Sequence, residues 1–447
     1  MAPTSDDGGG QSMQTHSSSP KVNLAASMAM VGLLFFIMGF FTWINGPLIL
    51  FVRLAFDLDD IQAFLILMVF YLSYFFLALP ASMLLRLTGL KRGLALSMVV
   101  MAVGAALFGQ FATARWYPGA LGGLFVIGGG LALLQTAINP YVCILGPIET
   151  AARRIAIVGI CNKAAGIAAP IVLGSLALQN IGALEARIKT VDPATKDALL
   201  NAFAAHIHLP YLAMAGLLLI VALGVWLSPL PELKASEANA MPVGGGDSGR
   251  GIFAFPHLWL GVLCLFLYVG VEVMAGDAIG VYGRGFGLPL DQTRFFTSFT
   301  LAAMLLGYLT GLVVIPRLMS QQAYLSVSAG LGVALALGAA LTRGYVSVGF
   351  VAALGFANAI MFPAIFPLAI KGLGRFTERG AALLVMGIAG GAVIPQTFAI
   401  LKQHYNFQIV FCALMAPCYL YVLAYARWGH RAGAARAAPA GAVAQAA

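Results

Sequence analysis

Residues 231–250 read PELKASEANAMPVGGGDSGR, a polar, glycine-rich stretch inside an otherwise apolar chain. Its composition is that of a flexible linker. Working outward, six apolar runs precede it, near 22–52, 61–85, 93–113, 118–145, 155–180 and 208–230. Six follow, near 255–283, 293–316, 321–342, 345–370, 380–401 and 405–426. Each is long enough to cross a bilayer core of roughly 30 Å as a helix. The expected fold is an all-α integral membrane protein of twelve transmembrane helices in two six-helix bundles. Residues 21–230 form the first bundle, 231–251 a cytoplasmic linker and 252–428 the second bundle. Residues 1–20 and 429–447 are expected to be cytoplasmic tails, the first disordered.

Composition supports this. Of the 447 residues 61% are hydrophobic and 9% charged, where a soluble domain carries about a quarter charged residues. The short alternating segments of a transmembrane β-barrel are absent. The net charge of +9 does not point to nucleic acid, because its distribution follows the membrane. With both termini inside, 15 of the 25 Lys and Arg residues are cytoplasmic, 9 are outside and Lys163 is in a span. That is the positive-inside bias. Residues 1–20 lack a basic n-region and a short cleavable apolar segment, so the first run is an uncleaved span. The five cysteines show no metal-ligand spacing and read as small buried hydrophobes. No metal or organic cofactor is implied.

The two halves echo each other. Gly166-Ile167-Ala168 with Pro170 in span 5 matches Gly387-Ile388-Ala389 with Pro395 in span 11. Tyr71-Leu72-Ser73 in span 2 matches Tyr308-Leu309-Thr310 in span 8, and Asn139-Pro140 in span 4 matches Asn358 with Pro363 in span 10. Such parallel repeats are those of a transporter built from two related bundles.

Polar residues inside the spans group by helical spacing, since residues three or four apart share a face. Thr42 and Asn45 lie together on span 1, and Gln135 and Asn139 on span 4. Asn162 shares a stripe with Gly166 and Pro170 on span 5. Tyr268, Glu272 and Gly276 form a stripe on span 7, and Asn358 shares a face with Phe362 on span 10. Spans 1, 4, 7 and 10 hold corresponding places in the repeats and are expected to face a central cavity. Neutral amides both donate and accept, which matches sugar hydroxyls. Trp43, Tyr268, Phe362 and Phe366 could lie against the apolar face of a pyranose. The alternative role for each amide is an interhelical hydrogen bond.

Three charges lie deep in apolar runs: Lys163, Glu272 and Asp277. A charge at a helix centre costs roughly 2.5–3.5 kcal/mol on insertion scales, so these mark a polar pathway. Glu272 is near the midplane and is the leading proton-site candidate. Asp277 is roughly 7–8 Å further outward and points about 140° away on a continuous helix, which places it towards an outer vestibule near Arg284. A Lys163–Glu272 pair would have to bridge about 9 Å along the membrane normal, so pairing and separate contacts both stay open.

At these residues the chain resembles the fucose/glucose–galactose:proton symporter family, a branch of the major facilitator superfamily. The resemblance covers roughly residues 25–428. It is carried by FFIMGFFTWINGPLIL (Phe35–Leu50), QTAINPYVCILGP (Gln135–Pro147), RIAIVGICNKAAGIAAP (Arg154–Pro170), YVGVEVMAGD (Tyr268–Asp277) and NAIMFPAIFPLAIKGLG (Asn358–Gly374). The loop Arg86–Gly93 matches the superfamily's loop signature in part, with Arg86 where an Asp is usual. The resemblance implies a bacterial inner-membrane importer of a neutral hexose, glucose or galactose or N-acetylglucosamine. It implies a sugar site at Asn45, Gln135, Asn139, Asn162 and Glu272. The fucose permease type carries acids where this chain has Gly46 and Gln135, which argues against fucose and leaves the coupling ion open between proton and sodium. The expectation is proton symport by alternating access, with Glu272, Asp277 and Lys163 in the coupling. A uniporter and a transport-silent sugar sensor are the alternatives. No nucleophile–base constellation suggests an enzyme. The expected partners are the sugar and the lipid bilayer, with no nucleic acid, and the chain is expected to be a monomer.

Overall fold

The computed structural model describes residues 24–145, 151–228, 230, 251–315, 317–373 and 376–433. The expected tail 1–20, the linker up to Arg250 and residues 434–447 of the second tail lie outside the described residues.

Among the described residues, twelve helices are long and apolar enough to cross a membrane. Spans 1–6 are Ala26–Ala55, Asp60–Thr88, Leu90–Thr113, Tyr117–Asn139, Ile157–Leu176 and Pro193–Leu227. Spans 7–12 are Pro256–Gly276, Leu290–Val314, Gln321–Leu341, Gly344–Ile370, Arg379–Leu401 and Phe407–Arg431. Helices satisfy their own backbone hydrogen bonds, which lipid cannot do for them. Large apolar side chains face outward, including Phe75, Phe76 and Met83 on span 2 and Leu217, Ile220, Leu223 and Trp226 on span 6. Such a surface suits hydrocarbon as its solvent.

The helices pack as two bundles of six, joined mainly along span 2 against span 11 and span 5 against span 8. Turns between them carry the expected chemistry. Asp59 and Gln62 form a capping box at the start of span 2, satisfying orphan N–H groups. Gly89 takes φ 83° between spans 2 and 3, where a side chain would be strained.

Four spans expected to be continuous are broken. Span 1 is Leu24–Trp43 and Asn45–Ala55. Pro47 has no N–H, so the Trp43 carbonyl loses its helical donor. The neighbouring Thr42 carbonyl instead accepts from Asn45 Nδ2 at 3.2 Å. Span 7 continues past Gly276 as a second piece, Ile279–Arg284, and between the pieces the N–H groups of Asp277 and Ala278 both bond the Val273 carbonyl, at 2.7 and 3.3 Å. Span 10 breaks between Asn358 and Met361, just before Pro363, and span 11 between Gly387 and Gly390.

The segment after span 5, expected to be a loop, is helical. Ile181–Arg187 is a short helix, and Pro193–Ala205 forms the first piece of span 6, ahead of His208–Leu227. Asp192 caps the second, and the Thr195 hydroxyl and N–H hold its carboxyl below the usual carboxylate pKa. This pair of helices lies at the end of the molecule opposite Leu24 and Gly433, here called the distal end.

Candidate functional site

Spans 5 and 7 meet across the bundle interface at one ion pair. Lys163 Nζ is 3.2 Å from Glu272 Oε1, with only 8% and 12% of the two side chains exposed. The axial offset expected from sequence is closed by the long lysine side chain. The ammonium also stands over two aromatic rings, 4.7 Å from the Trp43 centroid and 5.8 Å from that of Tyr308. Cation–π contacts of this kind are worth more when desolvated.

One turn along the same stripe, the Tyr268 hydroxyl donates to the Asn358 carbonyl at 3.3 Å. The break in span 10 frees such terminal carbonyls. Asn358 Oδ1 accepts from the Tyr419 hydroxyl at 2.8 Å, and its Nδ2 has no partner among the described residues. Glu272 is an electrostatic neighbour of Tyr268, Tyr308 and Tyr419. An acid, a base, an amide and three tyrosine hydroxyls are therefore neighbours at the interface of the bundles.

Asp277 is not in an outer vestibule beside Arg284, as its register on a continuous helix suggested. It is fully buried, while Arg284 pairs with Glu185 at 2.7 Å. The break in span 7 turns the Asp277 side chain towards the first bundle. Tyr71 of span 2 donates to its Oδ2 at 3.4 Å. Its Oδ1 has no hydrogen-bond partner among the described residues.

The other amides are spread more widely. Gln135 donates to the Tyr74 hydroxyl at 3.2 Å, and Gln135 and Asn139 are partly exposed. Asn45 is fully buried, its amide nitrogen spent on Thr42 and its Oδ1 without a partner among the described residues. Asn162 donates to the Phe35 carbonyl at 3.3 Å and so ties span 5 to span 1. Phe362 and Phe366 stack at 5.8 Å. Trp43 is 2% exposed and offers no free face. It is held between two helices, because a Cβ on Gly166 or Gly276 would come within 2.7 or 2.4 Å of its ring.

Sequence reasoning passed over Tyr71, Tyr74, Tyr308 and Tyr419 as site residues. A signal existed for two of them, since Tyr71 and Tyr308 begin the matched triplets of spans 2 and 8. Each packs on a glycine of the opposite bundle, Tyr71 on Gly391 and Tyr308 on Gly159.

The distal half of the interface is closed. Asp60 of span 2 pairs with Arg53 at 2.8 Å and with Lys402, beyond span 11, at 2.5 Å. Burial pushes the Lys402 ammonium below the usual lysine pKa, against the pull of Asp60. Arg294 of span 8 donates to the Leu178 and Gly174 carbonyls at the end of span 5. A cavity of about 150 Å³ remains there, lined by Arg53, Asp60, Arg284 and Lys402.

The profile of the family described as Major Facilitator Superfamily matches residues 31–395. The chain belongs to that superfamily. This major-facilitator chain is 32% identical over 427 residues to a glucose/galactose transporter of Brucella abortus, covering 94% of this chain and 97% of the relative. It is 27% identical over 398 residues to the L-fucose-proton symporter of Escherichia coli, covering 87% and 91%. The crystal structure of the transporter FucP in the outward conformation superimposes with a TM-score of 0.71 at 26% identity, covering 91% of this chain and 99% of that one. The inward-open xylose transporter XylE from E. coli, at 13% identity and a TM-score of 0.65, shares the fold. As a major-facilitator protein the chain is a multi-pass membrane transporter, in a family of transporters rather than enzymes.

Proposed function

We propose that this chain imports a neutral hexose, glucose or galactose with N-acetylglucosamine as the alternative, across the bacterial inner membrane together with a proton. The observation that carries the coupling is the buried Lys163–Glu272 pair, which joins the two bundles at the midpoint of the chain's polar pathway. A carboxylate there changes the bundle-to-bundle attraction when it takes a proton, and rocking of the bundles is alternating access. The sugar reading is supported by the names of the relatives and by the amides and aromatics around the pair. Asn45, Gln135, Asn139, Asn162, Tyr268 and Asn358 are the proposed sugar contacts, reached when the bundles part. The positive-inside bias supports cytoplasmic termini, with the distal end outside.

In this mechanism a protonated Glu272 releases Lys163, and the sugar replaces the broken ion pair with hydrogen bonds. Loss of the proton to the cytoplasm restores the pair and resets the carrier. Glu272→Gln in proteoliposomes tests it. The expected result is retained sugar exchange with lost accumulation under a pH gradient. Sugar-driven proton uptake that survives in Glu272→Gln overturns the role.

A uniporter is the second reading. It is favoured by Gly46 and Gln135, which stand where the fucose permease type carries acids. Such a carrier equilibrates sugar and never concentrates it under an imposed pH gradient.

A further inference from the structure

Asp277 lies where two broken helices meet. The break in span 1 begins a new helix at Asn45, and the break in span 7 ends one at Gly276. A Cβ placed on Gly46 would stand 3.3 Å from both Asp277 Cα and Oδ1 and 2.3 Å from Thr297 Oγ1. Only a glycine lets the bundles come this close. Just outward, Ile279–Arg284 packs on Asn45–Ala55, so closing the distal half brings Asp277 against span 1.

Among the described residues no ion pair forms on this carboxylate: Lys163, a basic neighbour, is paired with Glu272, and beyond it only the Gly46 N–H and the Tyr71 hydroxyl favour the ionised form. Tyr71 on span 2 and Glu272 on its own span are the other titratable neighbours. Span 8 presents Thr297, and its helix Phe296–Val314 contains no charged residue. The nearest arginine on span 1, Arg53, is paired with Asp60. An ionised carboxylate buried without a counter-charge is strongly disfavoured against its neutral acid. In the open state the same carboxylate would be hydrated and freely ionised.

We propose that closure of the outer half requires a proton on Asp277, so that Asp277 is a coupling residue distinct from Glu272. The proton is taken from the outer solution while the mouth is open, and closure buries the neutral acid between Gly46, Tyr71 and Thr297. This rests on the transporter reading above, but its test needs no sugar. Spin labels at Ala114→Cys and Leu341→Cys, exposed at the outer ends of the two bundles, are placed in a background with the five native cysteines replaced. Their separation is measured by double electron–electron resonance in nanodiscs between pH 5 and pH 9.

The expected result is a short distance at low pH that gives way to a longer one as pH rises, and a short distance at every pH in Asp277→Asn. Glu272→Gln, whatever its starting distance after loss of the ion pair, should still lengthen as pH rises, which separates this inference from the Glu272 mechanism. Gly46→Leu, which wedges the contact, should give the long distance throughout and shows that the labels report opening. A distance in the parent that does not change with pH overturns the proposal, and so does an Asp277→Asn response equal to the parent's.

Discussion

Lys163 on span 5 and Glu272 on span 7 are 3.2 Å apart and almost shielded from solvent, which makes them a buried ion pair between the two bundles. Removing one partner of such a pair leaves the other buried and uncompensated, at a cost of ~3–5 kcal/mol. Lys163→Met should therefore melt well below the parent in a detergent thermal-shift assay. The double variant Lys163→Met/Glu272→Leu should recover most of the loss, because a packed apolar pair is often as stable as the ions. Equal melting of Lys163→Met and the parent would show that the pair holds nothing together.

Trp43 is wedged between Gly166 and Gly276. Gly276→Val adds atoms where the indole already sits, and overpacking of this kind costs about 1–3 kcal/mol. The strain falls on the closed distal state, so transport should drop at least tenfold with expression unchanged. Trp43→Ala in the same chain should restore part of it. Radiolabelled hexose uptake into proteoliposomes measures both.

Asp60 holds Arg53 and Lys402 together across the outer mouth. Partly exposed ion pairs contribute up to ~1 kcal/mol. Asp60→Asn should move the open-to-closed ratio about 2- to 5-fold towards open, read from the same spin-label distances. High salt should shift the parent in the same direction and leave Asp60→Asn nearly unmoved, since salt screens this contact.

Tyr419 donates to Asn358 Oδ1 in the core of the second bundle. Tyr419→Phe leaves the amide short of a partner, and an unsatisfied buried group costs about 1–3 kcal/mol. A lower melting temperature with unchanged sugar affinity is expected if the bond is structural in the closed state. A weaker sugar affinity with unchanged melting would place Asn358 directly on the ligand.

Much of the fold was legible because membranes impose simple rules. Apolar length marks each span, and the polar stretch 231–250 separates the two groups of six. The candidate site was legible only in part. Glu272, Lys163 and Asp277 stood out because charge in an apolar run is costly, and Tyr268 followed from its spacing to Glu272. The tyrosines at 71, 74, 308 and 419 did not stand out, since aromatic residues are common in apolar helices and their hydroxyl partners lie on other spans. The helices after span 5 were missed because 181–207 mixes charge and apolar residues without a long run.

Asp277 shows where one-dimensional reasoning stops. On a continuous span 7 it points away from the centre, and the geometry of an ideal helix placed it outside. The break after Gly276, beside which Trp43 of span 1 packs, turns that side chain to the first bundle instead. The sequence by itself determined twelve spans and two bundles and singled out Lys163, Glu272 and Asp277 as charges deep in apolar runs, because each follows from local transfer energies; it did not single out Arg154, which is also buried. Only the tertiary structure decided that Lys163 meets Glu272 and that Asp277 meets Gly46 and Tyr71. Those contacts join residues more than a hundred positions apart, across an interface set by helix breaks and by glycines that allow close approach.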